Sequence, residues 1–297
     1  MKYRDLNGNE FNNNTFQDKL LRHIYSSPVG RAIIKLLTYD VVSCIAGAFL
    51  NSRLSRVLIR PFIKSNNIDM SLYKNGEFFS DNDNSLNSKY YGYASYNDFF
   101  TRKIKSSKRV IGNSKIISPS DGKVSCYKIS DNTEFEIKNS VYSVSSILKN
   151  KSLAEKFKGG YAVIIRLSVD DYHRYCYCTD GKKSRNRHIR GILHTVNPVA
   201  FESVKVFKEN SREYCLINTG KDLVVQMEVG ALMVGRITNK DKYPCVITKG
   251  EEKGYFEFGG STIVLLIQKG RKLCYDFLKN TEEGFETIVK QGENIAN

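Results

Sequence analysis

The residue best placed to do chemistry is a serine that follows two glycines. In FEFGGSTIVLLIQKG (256–270), Gly259, Gly260, Ser261 and Thr262 stand directly before an apolar run. Glycine before a strand often marks only a turn or a bulge. Glycine also permits a backbone in which a serine hydroxyl approaches the preceding carbonyl. Attack by Ser261 would convert that peptide bond to an ester, and elimination of the ester would break the chain.

A serine becomes nucleophilic only beside a base that a third group orients. The chain has four histidines: His23, His173, His188 and His194. His173 follows Asp170 and Asp171 in RLSVDDYHRYCYCTDG, and a second candidate acid, Asp121, lies in the turn-like SPSDGKV. His188, amid KKSRNRHIR, is expected to be solvated. Each signal alone is weak, because Asp-Gly is a common turn and most lone histidines are not catalytic.

The elements that must position these residues are predicted to be strands. Short β-branched runs alternate with turn signals from about residue 115 onward, among them KVSCYKI, YAVIIRLS, GILHTV, REYCLI and STIVLLI. Helices are predicted at 144–158, 198–208 and 275–291. The expected fold class is α+β, with a mostly antiparallel β catalytic domain at 65–297 behind an N-terminal helical arm at 1–64. The Asn-rich residues 1–16 are expected to be frayed.

Charge and hydropathy make the arm a candidate for membrane attachment. The chain has 46 Lys and Arg against 31 Asp and Glu, a net charge of +15 that suits nucleic acid or an anionic lipid surface. Residues 19–64 alternate apolar helical segments with basic residues and contain a single acid, Asp40. The longest uncharged stretch, 41–52, is shorter than the ~20 residues that span a bilayer. We expect a helical arm lying in the membrane interface; a helical subdomain packed on the core is the alternative.

The cysteines favour a reducing compartment. Seven are scattered along the chain, and the polar start MKYRDLNGNEFNNN does not look like a secretory signal. We interpret them as reduced thiols in a cytosolic protein. No pair is repeated at zinc-ligand spacing, so no metal site is expected.

Together these pieces resemble the phosphatidylserine decarboxylase family, whose members are self-cleaving and pyruvoyl-dependent. The matching segments occur in the family's order: SYNDFFTRKIK (95–105), SPSDGKV (118–124), LSVDDYHRY (167–175), VGALMVGRI (229–237) and KGEEKGYFEFGGSTIVLL (249–266). The last segment is the most specific, because a Gly-Ser-Thr run after such a lead is the family's self-cleavage signature.

The resemblance implies that the chain cuts itself between Gly260 and Ser261. The products would be a β chain of residues 1–260 and an α chain of residues 261–297, held together as a heterodimer. Ser261 would become a pyruvoyl group, whose ketone forms a Schiff base with the substrate amine and accepts electrons as CO2 leaves. Phosphatidylserine would thereby yield phosphatidylethanolamine, and no added organic cofactor is expected.

The family's cleavage triad of aspartate, histidine and serine implies roles for Asp121 and Ser261. The family motif carries two histidines three residues apart; the first corresponds to His173, implied to donate a proton during decarboxylation, but the second position holds Cys176. Either His173 performs both tasks or another residue is the cleavage base. His194, in GILHTVNP, is the preferred substitute, and Cys176 is a second option that needs a lowered thiol pKa.

The substrate implied by the resemblance also predicts where the protein works. Each lipid CH2 exposed to water costs about 0.8 kcal/mol, so a diacyl lipid must be met at the bilayer. We expect a peripheral protein on the cytoplasmic face of the cell membrane, bound to an anionic lipid surface; whether it forms a homodimer is open. An inactive, acidic-lipid-binding relative is the alternative, although Ser261 and Asp121 are intact. Nucleic-acid binding is not expected, since no known binding motif is recognisable.

Overall fold

A computed structural model describes residues 2–12, 40–75, 90–137, 140–192, 206–230, 236–257 and 261–297. Among the predicted site residues, Gly259, Gly260 and His194 lie outside these ranges, and so does His23. Most of the helix predicted at 198–208 is also outside them, although residues 206–209 are helical.

Strands dominate the described part of the chain. Their bounds are β1 Lys2–Arg4, β2 Glu10–Asn12, β3 Ile116–Ile117, β4 Gly122–Lys128, β5 Glu134–Ile137, β6 Ser140–Ser143, β7 Tyr161–Leu167, β8 Arg174–Cys176, β9 Gly181–Lys183, β10 Arg187–Ile189, β11 Arg212–Asn218, β12 Leu223–Gly230, β13 Ile237–Asn239, β14 Cys245–Ile247, β15 Glu252–Phe256, β16 Ser261–Ile267, β17 Phe285–Val289 and β18 Asn294–Ala296.

The helices are short. They are α1 Asp40–Asn51, α2 Ile59–Ser65, α3 Tyr96–Phe100, α4 Val144–Leu148, α5 Lys151–Ala154, α6 Val206–Glu209 and α7 Phe277–Glu282, with a 3-10 turn at Arg53–Leu58 between the first two and another at Glu155–Phe157. No helix in the described part of the chain is both long and apolar enough to cross a membrane.

One large sheet organises the molecule. Its strand order is β14-β9-β11-β12-β16-β7-β4-β17-β1-β2, with β10 paired to β11. The neighbours are antiparallel except for β1, which runs parallel to β17. A three-stranded sheet, β13-β15-β8, packs beside it. The predicted mostly antiparallel β architecture is confirmed.

Strand β16 lies in the middle of the large sheet, and all seven of its residues are buried. Val264 and Leu266 face a core built with the β5–β6 hairpin, α4 and α5. Ile263 and Leu265 face the opposite core, which contains Tyr175 of β8 and Phe256 of β15. Coverage on both faces explains why the strand is an unbroken apolar run instead of an alternating one.

The helical segment at residues 40–75 packs on α3 through a third, aromatic-rich core. Leu50 and Ile59 are buried there beside Phe99, Phe100 and Tyr172. Other apolar side chains of the segment are exposed, namely Ile45, Phe49, Leu54, Val57 and Leu58.

Two local predictions are wrong. The closing helix predicted at 275–291 is only α7, because Gly284 adopts φ +81° and ends it, and the β-branched residues after it pair with β4 as β17. Residues 2–12 are not frayed: β1 and β2 form a hairpin that extends the large sheet. The helix predicted at 144–158 is confirmed as α4, α5 and a 3-10 turn.

Candidate active site

Ser261 is the first residue of β16, paired with Leu167 of β7 and Gly230 of β12. Its side chain is fully buried, and its Oγ has no hydrogen-bond partner in the described part of the chain; neither has Oγ1 of Thr262. A buried hydroxyl left unpaired costs about 1–3 kcal/mol. Because side chains alternate along a strand, Ser261 shares the face of Ile263, toward the three-stranded sheet.

His173 stands immediately before β8 and is also fully buried. Its ring packs on Phe100 with the centroids 4.1 Å apart. Nδ1 lies 2.9 Å from the carbonyl oxygen of Asp171. A carbonyl only accepts, so Nδ1 carries the proton and Nε2 has a free lone pair. Nε2 has no partner among the described residues.

Burial also fixes the charge of this imidazole. Desolvation lowers the pKa of His173 to about 3, more than the carboxylate of Asp171 raises it. The ring is therefore neutral at physiological pH, with the tautomer that a proton acceptor needs.

Two connections bring His173 and Ser261 to the same region of the fold. The backbone N of Phe256, at the end of β15, donates to the carbonyl of His173 at 2.9 Å, and the chain then continues to Ser261. On the other side, Ser168 follows Leu167, the partner of Ser261. The backbone N of Ser168 donates to the carboxylate of Asp171 at 2.7 Å. No hydrogen bond joins the two side chains directly in the described structure.

Asp171 is a buried site residue that the sequence reasoning treated only as a neighbour of His173. Lys123 of β4 donates to its Oδ2 at 2.6 Å. Burial alone would raise the pKa of Asp171, but Lys123, the backbone N–H of Ser168 and Lys290 together lower it. The available signal was the Asp-Tyr-His spacing in DDYH; the lysine, 48 positions away along the chain, gave none.

Asp121 lies directly before β4, and its carboxylate already accepts hydrogen bonds from other groups. Nη2 of Arg109 donates to both oxygens, at 2.8 and 2.7 Å, and the backbone N of Gln291 donates at 2.9 Å. His173 and Ser261 are not among its described hydrogen-bond partners. The segment that contains Asp121 still touches the site, because the carbonyl of Pro119 accepts from the backbone N of Cys176 at 2.9 Å.

The other candidate bases differ in environment. Cys176 is buried, and desolvation raises the pKa of its thiol to about 12, so it keeps its proton at neutral pH. That protonation argues against Cys176 as a base. His188 is exposed on β10, 3.9 Å from Glu213, as expected of a solvated residue.

A buried polar network that the sequence reasoning missed lies beside Ser261. Lys253 of β15 pairs with Glu228 of β12, and both are fully buried. Lys253 also donates to Asn239 at 2.9 Å. Burial alone would lower the pKa of Lys253, but the Glu228 carboxylate, with Cys215 and Glu213, raises it. Burial raises the pKa of Glu228 itself, and Lys253 opposes that rise. Lys253 is therefore held protonated close to the start of β16, where Ser261 lies.

Gln226 extends the network toward β8. Its side-chain oxygen accepts from the backbone N of Cys178 at 3.0 Å, and its nitrogen donates to the carbonyl of Cys176 at 2.9 Å. These bonds fix β8, and therefore His173 at its start, against the large sheet. Among the described residues, no cluster of His, Cys, Asp and Glu could hold a metal ion.

Comparison with known proteins assigns the family. The family model described as phosphatidylserine decarboxylase matches residues 96–297, which include Asp121, His173 and Ser261. The chain belongs to the phosphatidylserine decarboxylase family. The resemblance inferred from the sequence motifs is thereby confirmed.

Relatives of nearly equal length support this membership. The phosphatidylserine decarboxylase proenzyme 2 of Clostridium acetobutylicum is 42% identical over 288 residues, covering 95% of this chain and 92% of the relative. The phosphatidylserine decarboxylase proenzyme of Ruminiclostridium cellulolyticum is 38% identical over 286 residues (94% and 91%). That of Clostridium beijerinckii is 36% identical over 286 residues (94% and 92%). All three are named as proenzymes of a carboxy-lyase.

Proposed function

We propose that this chain is a proenzyme that cleaves itself between Gly260 and Ser261 and then decarboxylates phosphatidylserine to phosphatidylethanolamine. The main support is the buried hydroxyl of Ser261 and the buried Nε2 of His173, which lie in one region of the fold and have no hydrogen-bond partner among the described residues. A buried polar group without a partner requires an explanation, and a catalytic role is one such explanation. Family membership and the proenzyme names of the relatives point the same way.

Self-cleavage begins with the Ser261 hydroxyl. Oγ attacks the carbonyl carbon of Gly260 and its proton passes to Nε2 of His173, in the manner of a serine nucleophile and its base. The amide becomes an ester, and loss of the Ser261 Cα proton expels the Gly260 carboxylate. Water then replaces the nitrogen of residue 261 as ammonia, leaving a ketone in the pyruvoyl group. His194 is the alternative base, and Asp121 is the acid implied by the family's triad.

The mature site uses the residues that remain around position 261. The pyruvoyl group supplies the electron sink that decarboxylation requires. The face that carries residue 261 is lined by Ile263, Tyr175 and Phe256, which exclude water from a reacting carbanion. His173 would return to that carbanion a proton that its Nε2 has first taken up in an earlier step.

The enzyme would work as a peripheral protein on the cytoplasmic face of the cell membrane. The helical segment supplies the attachment: Ile45, Phe49, Leu54 and Val57 are exposed on it, and Arg53 lies among them. Apolar side chains flanked by cations suit an anionic lipid surface, where each basic residue adds about 1 kcal/mol. Phosphatidylserine would itself enrich that surface in negative charge.

Intact mass spectrometry of the purified full chain, with CO2 release from phosphatidylserine vesicles, tests the proposal. We expect two chains that separate at residues 260 and 261, an α chain without a free N-terminal amine, and CO2 release. The Ser261→Ala chain should remain whole and inactive. A wild-type chain that stays whole yet releases CO2 would contradict the pyruvoyl mechanism; one that stays whole and inactive would support a lipid-binding relative.

A further inference from the structure

Arg102 is a buried cation that the proposed chemistry does not use. It follows α3 in the FFTR stretch, and it is 1% exposed. Its guanidinium carbon lies 4.5 Å from the ring centre of Tyr73 and 4.9 Å from that of Phe99. Cation–π contacts of this kind stabilise a desolvated cation only in part. Burying an unpaired charge costs more than these contacts contribute.

The hydrogen bonds of Arg102 are incomplete. Nη2 donates to the Tyr73 hydroxyl at 3.3 Å. Among the residues that the structure describes, Nε and Nη1 have no hydrogen-bond partner and no acid forms an ion pair with Arg102. Arg212, equally buried, shows how this fold satisfies a structural arginine. All three of its nitrogens donate to carbonyls, including that of Ile147 at 2.8 Å.

A second unpaired donor lies beside the first. The Tyr93 hydroxyl is buried and has no described partner, and its ring packs edge-on against Phe99 at 5.6 Å. Arg102 packs on the same Phe99 ring. A guanidinium and a phenol that both have free donors can be satisfied together by one anion with several oxygen atoms.

The position of these donors connects them to the candidate active site. Phe100, two residues before Arg102, packs on His173, and the carbonyl of Thr101 accepts from Arg174 at 2.7 Å. Burial chiefly lowers the pKa of His173, and the positive charge of Arg102 adds to that effect. The donors therefore lie between the helical segment that contacts α3 and the imidazole of the site.

We propose that Arg102, with Tyr93, binds the phosphodiester of the phospholipid headgroup. The inference rests on the proposed function for its ligand, a lipid that carries both a phosphate and a carboxylate. The phosphate is the better partner, because its charge persists through the reaction. A cation on the carboxylate would stabilise the ground state, whose charge the transition state disperses, and would slow CO2 loss.

Titration of the mature enzyme with soluble dihexanoyl phosphatidylglycerol tests the assignment, since this probe has a phosphodiester but neither the amine nor the carboxylate of the substrate. By calorimetry, Arg102→Met should weaken its binding roughly 10- to 100-fold. Tyr93→Phe removes only an unpaired hydroxyl and should weaken it a few-fold. The exposed Arg185→Met is the control and should match wild type.

Steady-state kinetics on dihexanoyl phosphatidylserine supply the second readout. Arg102→Met should raise KM by a similar factor, with the α and β chains still formed. Unchanged affinity for phosphatidylglycerol in both variants would overturn the proposal. So would a raised KM for phosphatidylserine alone, because that result would assign Arg102 to the carboxylate.

Two comparisons with uncleaved chains separate a failure of cleavage from a failure of phosphate binding. If Arg102→Met blocks cleavage, the same titration compares the Ser261→Ala chain with its Arg102→Met double variant, which needs no cleavage. A wild-type chain that binds the probe but never cleaves would refute the proposed function and leave the phosphate site supported. Equal binding by the two uncleaved chains would refute the phosphate site itself.

Discussion

Two buried polar regions lie close together on one side of β16, and they differ in one respect. The region around Lys253 and Glu228 is closed: the charges neutralise each other, and the side chains of Asn239 and Gln226 complete their bonds. The region around Ser261 and His173 is open: a hydroxyl and an imidazole nitrogen have no partner in the part of the chain that the structure describes. A satisfied network specifies structure, whereas the two unpaired groups are the ones that the proposed chemistry would use. Substitutions in the open region should therefore block cleavage, whereas substitutions in the closed region should lower the free energy of unfolding.

The largest effect is expected at Ser261. Ser261→Ala should abolish cleavage completely. Its free energy of unfolding should differ by less than about 1 kcal/mol from that of the still uncleaved wild-type chain, because the Ser261 hydroxyl has no hydrogen-bond partner among the described residues. A denaturing gel and urea unfolding measure the two quantities. Thr262→Val, which removes the adjacent unpaired hydroxyl, is the matched control and should still cleave. Strong destabilisation by Ser261→Ala would show that this region is structural after all.

His173 should follow in magnitude. His173→Gln should slow cleavage by about 10²- to 10⁴-fold, the usual range for a lost general base. The time course of chain separation in freshly synthesised protein gives the rate, and exposed His188→Gln serves as the control. Cleavage at the wild-type rate would transfer the role of base to His194.

The closed region should lose stability instead. Lys253→Met leaves the Glu228 carboxylate buried and unpaired, so we expect a loss of about 3–5 kcal/mol in the free energy of unfolding. Adding Glu228→Met should restore much of it, because the unpaired charge is then gone. Urea unfolding in the Ser261→Ala background keeps the chain whole for this comparison. If Lys253→Met blocks cleavage without destabilising the fold, the contrast between the regions disappears.

Acid should lower the free energy of unfolding through His173 of the open region. The pKa of His173 is about 3 in the fold, below its ordinary value near 6.5, so the unfolded chain binds more protons as pH falls through 6.5. The stability present above pH 6.5 is thus lost progressively toward pH 3, by about 3 kcal/mol at pH 4. His173→Gln in the Ser261→Ala background should flatten the pH profile of urea unfolding over this window. An unchanged slope would show that other groups cause the acid sensitivity.

Cys176 should matter least. Its thiol keeps its proton because burial raises its pKa to about 12. Cys176→Ala should change the cleavage rate by less than about threefold, far below the loss of a general base. A rate assay beside His173→Gln makes the comparison, and a hundredfold loss in Cys176→Ala would reinstate the thiol as a participant.

The sequence predicted the open region better than the closed one. Ser261 and His173 are flanked by local signals, the Gly-Ser-Thr run and the DDYH spacing, so chemistry could be inferred from neighbours in the chain. The partners of Lys253 and Asp171 come from distant strands and left no pattern in KGEEKG or DDYH. The same limit applies to residues 285–289, whose strand character depends on pairing with β4 and β1.

The placement of β16 has a consequence for the fate of a cut chain. Residues 261–267 are hydrogen-bonded on both sides, to β7 and β12, and farther on β17 lies between β4 and β1 while β18 pairs with β3. Cleavage before Ser261 would break the backbone but would leave all of these strand pairings intact. The smaller fragment would remain interleaved with the larger one and come free only when the whole sheet is dismantled.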